Sequence, residues 1–276
     1  MAKNIFRGQT TVNNIYRGNT PLSKVYRGNT EIWSSGPPPF VPPVTADVIS
    51  FQARDYSGTG NWIDNVGSYE ATLVDSPTFV SDGDSSYWDL DGTDDGFNVD
   101  NAQLPTPLWD TQGSTGNAEG ALEFVIYADD LIDQPGLWWM WSGNQNNRVN
   151  YIGNLSTTVI NTAFGVAGTN QEANSFNISL GLGNWKHLVW TWNQSSNVWD
   201  IYLNGTSVGS ATWNQNSTWR SVNQCIGIGY YIQDCTGNPR RYFNGRMAAV
   251  RAYSDELSSS NISSLYSFWS NYFTFA

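Results

Sequence analysis

Between residues 184 and 212 the chain alternates large apolar positions with small or polar ones at a period of two. Leu188, Trp190 and Trp192 are bulky and apolar, with β-branched Val189 and Thr191 between them, the pattern of a strand with a buried face. After the polar break at 193–197 the alternation resumes, with Trp199, Ile201 and Leu203 on one side and Asp200 and Asn204 on the other. Asn204-Gly205 then supplies the two positive-φ positions of a type I′ turn, and Val208 opens a third strand. Further short runs at 122–127 and 137–141 are bounded by Gly, Asn and Asp. Short strands between such loops predict an all-β protein, a two-sheet antiparallel sandwich with its sheets about 10 Å apart. Only the segment from Leu257 to Tyr266 reads as helical. The aromatic tail at 268–275 suits a last sheet strand or a contact for a partner equally well.

The opening of the chain follows another rule. Asn4-Ile5-Phe6-Arg7-Gly8, Asn14-Ile15-Tyr16-Arg17-Gly18 and Lys24-Val25-Tyr26-Arg27-Gly28 align at a period of ten. Each unit predicts a short strand ended by Gly-Gln or Gly-Asn, both turn formers. Thr20, Leu22, Lys24 and Tyr26, taken as one strand, share a face that is not apolar enough for a core. Three such strands are marginal alone. The repeats therefore predict an anchor that orders on a larger assembly or on its own symmetry mates, the alternative being a meander folded onto the main domain. Phe6, Arg7, Tyr16, Arg17, Tyr26 and Arg27 are the expected anchoring residues. An arginine can grip a carboxylate with a bidentate fork, and the aromatic beside it can fill an apolar pocket. Pro37, Pro38, Pro39, Pro42 and Pro43 then mark a semi-rigid polyproline spacer. The expected organisation is a β-repeat arm at 1–33, a linker at 34–43 and the sandwich at 44–276.

Composition and charge narrow the class of partner. Charged residues are 13% of the chain, against about 25% in an average domain. Asn, Ser, Thr, Gly and Trp replace them, as in extracellular or virion-surface β proteins. The net charge of −11 is uneven: +4 before residue 37 and therefore −15 after it. An acidic body argues against nucleic acid, whereas the basic head can dock on an acidic surface. No apolar run reaches membrane-spanning length and the first residues are not a signal peptide, so no membrane insertion is expected. Cys225 and Cys235 are the only cysteines. They are either a staple between neighbouring strands or two unlinked core residues.

Several segments resemble a known family. Trp185, the strand after it and Ile201-Tyr202-Leu203-Asn204-Gly205 resemble the central hairpin of laminin-G-like domains in the concanavalin A-like jelly-roll superfamily. Tyr87-Trp88-Asp89-Leu90-Asp91-Gly92-Thr93-Asp94-Asp95-Gly96-Phe97 resembles an early strand pair of that family. Residues 243–253, followed by Leu257 and Ile262, resemble its closing strand and short helical turn. Trp62, Asp64 and Gly67 are similar to the "Trp-x-Asp-x-x-Gly" of phage and bacterial members. The likeness spans about 46–266. The decamers resemble, more loosely, tandem units at the ends of phage structural proteins. A fold that hosts lectins, hydrolases, receptors and virion proteins leaves function to be read from residues.

Those residues point away from catalysis. Jelly-roll glucanases resembling this chain carry a Glu-x-Asp-x-x-Glu strand, whereas the six glutamates here never take that spacing. Glu123 alone falls in a predicted strand. His187 is the only histidine and no nucleophile motif accompanies it, so a structural role is expected. Asp91, Asp94 and Asp95 are the candidate metal ligands, since hard oxygens suit Ca²⁺, and the resemblance implies such sites at loop ends. Solvated turn aspartates are the alternative. Trp213 and Trp219 flank a polar loop and are the candidate glycan-stacking residues, most other tryptophans being core. These readings lead to an expected non-enzymatic phage virion structural protein, a capsid decoration or a head or tail fibre component at the virion surface. Its expected partners are other virion proteins and host surface glycans, with homo-oligomers also compatible. The rival expectation is a bacterial extracellular carbohydrate-binding or adhesion module.

Overall fold

Each decamer of the arm reverses on itself. In the computed structural model β1 (Ile5–Arg7) pairs with β2 (Thr10–Val12), β3 (Ile15–Arg17) with β4 (Thr20–Leu22), and β5 (Lys24–Arg27) with β6 (Thr30–Ser34). One repeat is thus one hairpin, which corrects the reading of one strand per repeat. Glycine and Asn or Gln lie mid-repeat, so the chain turns inside each unit. Thr20 and Leu22 consequently belong to a different hairpin from Lys24 and Tyr26. The register Arg7↔Thr10, Arg17↔Thr20 and Arg27↔Thr30 puts all three arginines at the same place, beside the turn. The structure describes these strands and residues 41–276, except 68, 101–118, 133, 142–147, 154, 166–170, 194, 213–224 and 233–238. The chain divides into two compact units, Met1–Pro42 and Pro43–Ala276.

The second unit begins with β7 (Ile49–Gln52), β8 (Trp62–Ile63), β9 (Glu70–Val74), β10 (Thr78–Val80), β11 (Tyr87–Asp91) and β12 (Gly96–Val99). There follow β13 (Glu119–Asp130), β14 (Trp138–Trp141), β15 (Arg148–Gly153), β16 (Ile160–Gly165) and β17 (Gln171–Phe176). The predicted meander is β18 (Trp185–Asn193), β19 (Val198–Leu203) and β20 (Thr206–Thr212). Last come β21 (Cys225–Ile228), β22 (Tyr231–Ile232), β23 (Pro239–Arg240), β24 (Asn244–Tyr253) and α1 (Ser259–Trp269). Two eight-stranded antiparallel sheets result. One runs β10-β11-β24-β13-β18-β19-β20, with β7 also on β24, and the other runs β17-β16-β15-β14-β21-β12-β9-β8.

Period-2 alternation assigns the faces. Leu122, Phe124 and Ile126 of β13, Leu188, Trp190 and Trp192 of β18, and Trp199 and Ile201 of β19 all enter the core between the sheets. In the register Trp190 opposes Ile201 and Trp192 opposes Trp199. At the turn Asn204 and Gly205 have φ of 50° and 76°, as the type I′ hairpin requires. Asp64 explains the Trp-x-Asp-x-x-Gly spacing: its buried carboxylate accepts the amides of Ser50, Val66 and Gly67 and so fixes the opening loop. One expectation changes. β11 and β12 are not a pair; they lie in different sheets, and residues 92–95 carry the chain from one sheet to the other. Cys225 is disulfide-bonded, and Cys235, the chain's one other cysteine, lies outside the described residues.

The outer face of the first sheet is covered by the C-terminus. Helix α1 starts at Ser258, whose side chain accepts the Asn261 amide at 3.2 Å, and runs past the predicted Tyr266. Ile262, Leu265 and Trp269 form its buried stripe. The aromatic tail folds onto its own domain: Phe273 lies 4.4 Å from Trp185, Phe275 makes a parallel bridge with Trp185, and Asn204 Nδ2 donates to the Ala276 carbonyl.

Beneath this cover sits Glu123, fully buried. Its Oε1 accepts from His187 Nε2 at 2.9 Å and from Trp269 Nε1 at 2.7 Å. Its Oε2 accepts from Arg251 Nη1 at 2.9 Å and from the Tyr253 hydroxyl. Arg251 Nη2 continues to the Val44 carbonyl at 2.7 Å. Burial alone would raise the Glu123 pKa, but Arg251, the His187 bond and Tyr253 outweigh it and hold it at about 2. A carboxylate depressed on folding stabilises above its ordinary value near 4.5, and that stabilisation is lost as pH falls towards 2. Acid unfolding followed by circular dichroism should therefore lose about 3 kcal/mol across that window. Glu123→Ala, which leaves four buried donors without their acceptor, should cost roughly 3–5 kcal/mol in urea unfolding, and Glu123→Gln less.

Candidate functional site

At one end of the sandwich three strand ends meet. Asp91 closes β11, Asp130 closes β13, and both pair with Asn244, the first residue of β24. The turn after Asp91 needs glycine: Gly92 has φ +75°, and a Cβ there would lie 2.6 Å from Asn244 Cβ. The segment before β24 reaches the same place. Together they enclose a polar groove of about 410 Å³ lined by Asp91, Gly92, Thr93, Asp130, Ile132, Arg241, Tyr242 and Asn244.

The carboxylates are held by hydrogen bonds that fix their direction. Asp130 Oδ1 accepts the Ile132 amide at 3.1 Å and its Oδ2 accepts Asn244 Nδ2 at 3.0 Å. Asp91 Oδ1 accepts the amides of Thr93 at 2.8 Å and Asp94 at 3.3 Å. Buried Asp95 accepts from the Ser76 and Asp91 amides, each at 3.1 Å. Burial would raise the Asp91 pKa, but the three backbone amides at 93–95 outweigh it and lower the value. Asp94 and Asp95 are raised, by burial and then by neighbouring carboxylates, chiefly Asp75 and Asp91. Burial and the same acids raise the Tyr242 hydroxyl, which stays protonated and able to donate. Arg241 lies 5.8 Å from the centre of the Tyr231 ring.

The structure thus brings Asp91, Asp94 and Asp95 together, with one oxygen of each within 4.8 Å of the others. Three crowded hard-oxygen donors fit Ca²⁺ in charge and donor type. The same residues also serve as turn caps, so the loop has a structural reason of its own. Trp213 and Trp219 lie outside the described residues, as do the side chains of Phe6, Arg7, Tyr16, Arg17, Tyr26 and Arg27. Trp62, Trp88, Trp138, Trp139, Trp190, Trp192, Trp199 and Trp269 are fully buried, in keeping with a core role. Glu123 and His187 lie far from any opening, at 0% exposure, and His187 Nδ1 has no hydrogen-bond partner among the described residues.

Residues 91–263 match the family described as the concanavalin A-like lectin/glucanases superfamily, of laminin G type. The chain belongs to that superfamily. Among curated proteins no relative matches the sequence. Solved structures repeat the superfamily fold. The binding domain of botulinum neurotoxin DC in complex with SialylT superposes with a TM-score of 0.59 at 14% identity, covering 80% of this chain and 51% of that one. The same neurotoxin domain bound to rat synaptotagmin II gives 0.59 at 14%, covering 79% and 51%. A botulinum neurotoxin type C structure, described as depending on two ganglioside molecules for cell entry, gives 0.58 at 14%, covering 80% and 51%. The chain spans about half the length of these neurotoxin structures. Within the superfamily fold, the matched segment of this chain begins at Asp91, the first residue of the acidic turn.

Two substitution and ligand effects follow for that turn. Asp94→Asn removes one of the repelling charges, so its melting temperature in EDTA should exceed that of the wild type. Millimolar Ca²⁺ should raise the melting temperature of the wild type in differential scanning fluorimetry and leave Asp94→Asn unmoved.

Proposed function

We propose that the sandwich is a non-enzymatic glycan-binding module displayed at a virion surface, held there by the N-terminal repeats. The observation that carries the adhesive half is the groove at the strand ends. It combines fixed carboxylates, an amide, a protonated tyrosine hydroxyl and exposed Ile132 in a cleft of ligand size. Convergent polar groups beside an aromatic ring suit a sugar, whose hydroxyls need hydrogen bonds and whose C–H face needs an apolar contact. The superfamily supports the reading, and so do structural neighbours that bind SialylT or depend on gangliosides for cell entry. Trp213 and Trp219 are proposed to extend the contact.

Catalysis finds little support. Glu123 is fully buried with both oxygens engaged, and among the described residues its hydrogen-bond partners are His187, Trp269, Arg251 and Tyr253, none of them a carboxylate. Among the described residues no helix is long and apolar enough to cross a membrane. The virion half of the proposal rests on the repeats, which present arginine and aromatic residues in the same register in three successive hairpins. Capsid or tail proteins with acidic faces are the proposed partners, and self-association through the same hairpins is compatible with that.

The arm and the groove separate in one experiment. Changing Arg17 and Arg27 together to Glu should reduce incorporation into particles at least tenfold, read by quantitative immunoblotting of purified virions, while the circular dichroism of the purified protein is unchanged. Tyr242→Ala should leave incorporation intact and abolish retention on a glycan array. Particles that keep the double arginine variant at full copy number, even after a high-salt wash, would contradict anchoring by the repeats.

A further inference from the structure

The groove sets carboxylates, Asp91 and Asp130, beside the donors Arg241, Tyr242 and Thr93, and the carboxylates decide which charged ligands it can hold. Asp91 and Asp130 line it with carboxylates, each of which accepts hydrogen bonds. Asp130 accepts from the Ile132 amide and Asn244, which leaves it lone pairs for a ligand, whereas Asp91 is already met by the amides at 93–95 and the Thr93 hydroxyl. The amide of Asn244 is itself spent on Asp130. Arg241 is the one cation among the lining residues. Behind the rim stand Asp94 and Asp95, with Asp75 next to Asp94. Two carboxylates on the lining, backed by three more behind the rim, stand against the single guanidinium on the lining. A bound Ca²⁺ would offset only part of that excess.

Resting on the glycan reading above, we infer that the groove selects uncharged or amino-bearing sugars and rejects sialylated, sulfated and uronic-acid glycans. A neutral hexose offers hydroxyls that donate to Asp130 and accept from Tyr242. An amino sugar adds an ammonium that the carboxylates attract. A sialic acid brings a carboxylate with nothing to donate into a field of its own sign, and the whole body, at −15 after residue 37, repels it on approach. Selection is thus by exclusion as much as by contact. The ligand class differs from the sialylated one named for the structural relative.

The test uses the full chain on an array of matched glycan pairs that differ only in a terminal acidic group. Neutral members should be retained and their sialylated, sulfated or uronic-acid counterparts bound at least tenfold more weakly. The gap should narrow in 0.5 M salt. Asp130→Asn, which keeps the shape and the Asn244 contact, should narrow it too by admitting acidic glycans. Acidic members bound as well as or better than neutral ones would overturn this inference and leave the glycan reading standing. Retention of neither class would overturn both.

Discussion

A carboxylate with no exposure to water is tolerable only when every lone pair that matters has a donor, and Glu123 meets that condition with four. The donors come from β18, β24 and α1, and Arg251 passes the connection on to the backbone at Val44. Three central strands, the helix and the entry to the sandwich are therefore fixed to one group. The position of the C-terminal tail follows from it, since Trp269 brings the helix down and Phe273 and Phe275 then meet Trp185. Removing any donor leaves charge or polarity stranded in a dry interior, so the hub is both a source of rigidity and a point of vulnerability to acid.

That arrangement also decides where chemistry can occur. The inner faces of both sheets are filled with tryptophan and aliphatic side chains, and the outer face of the first sheet is closed over Glu123 by α1. An open groove among the described residues lies at the end of the sandwich, where strand termini and loops converge. Loops on a rigid scaffold are the usual place for recognition, and here the scaffold delivers Asp91, Asp130 and Asn244 in a single cross-strand row. The acidic turn, the groove and the proposed preference for hydroxyl and ammonium donors are consequences of that row.

Much of this was legible in the sequence where the signal was local. The alternation of Leu188, Trp190 and Trp192 and the Asn204-Gly205 turn both depend on neighbours a few residues away, whereas the capping role of Asp64 did not show, since its carboxylate also takes the Ser50 amide 14 residues earlier. The repeats misled because a period of ten does not say where within the unit the chain turns; glycine at mid-repeat made each decamer a hairpin. The early strand pair misled because a turn between two strands looks the same whether they join one sheet or cross between two. The hub was invisible as a unit: Glu123 meets His187 across 64 positions and Arg251 across 128. The groove was half visible, through Asp91, Asp94 and Asp95. Asp130, Arg241, Tyr242 and Asn244 carry no spacing signal.

The central claim is that recognition takes place at the sandwich end and not on a sheet face. Amide chemical-shift mapping of the isotope-labelled full chain, titrated with a neutral glycan that it retains on the array, tests this most directly. The account expects shifts concentrated at residues 91–95, 130–132 and 241–244, with the amides around Glu123, His187 and Arg251 unmoved. Shifts confined to the arm or to an outer sheet face, with residues 91–95 and 241–244 silent, would contradict it.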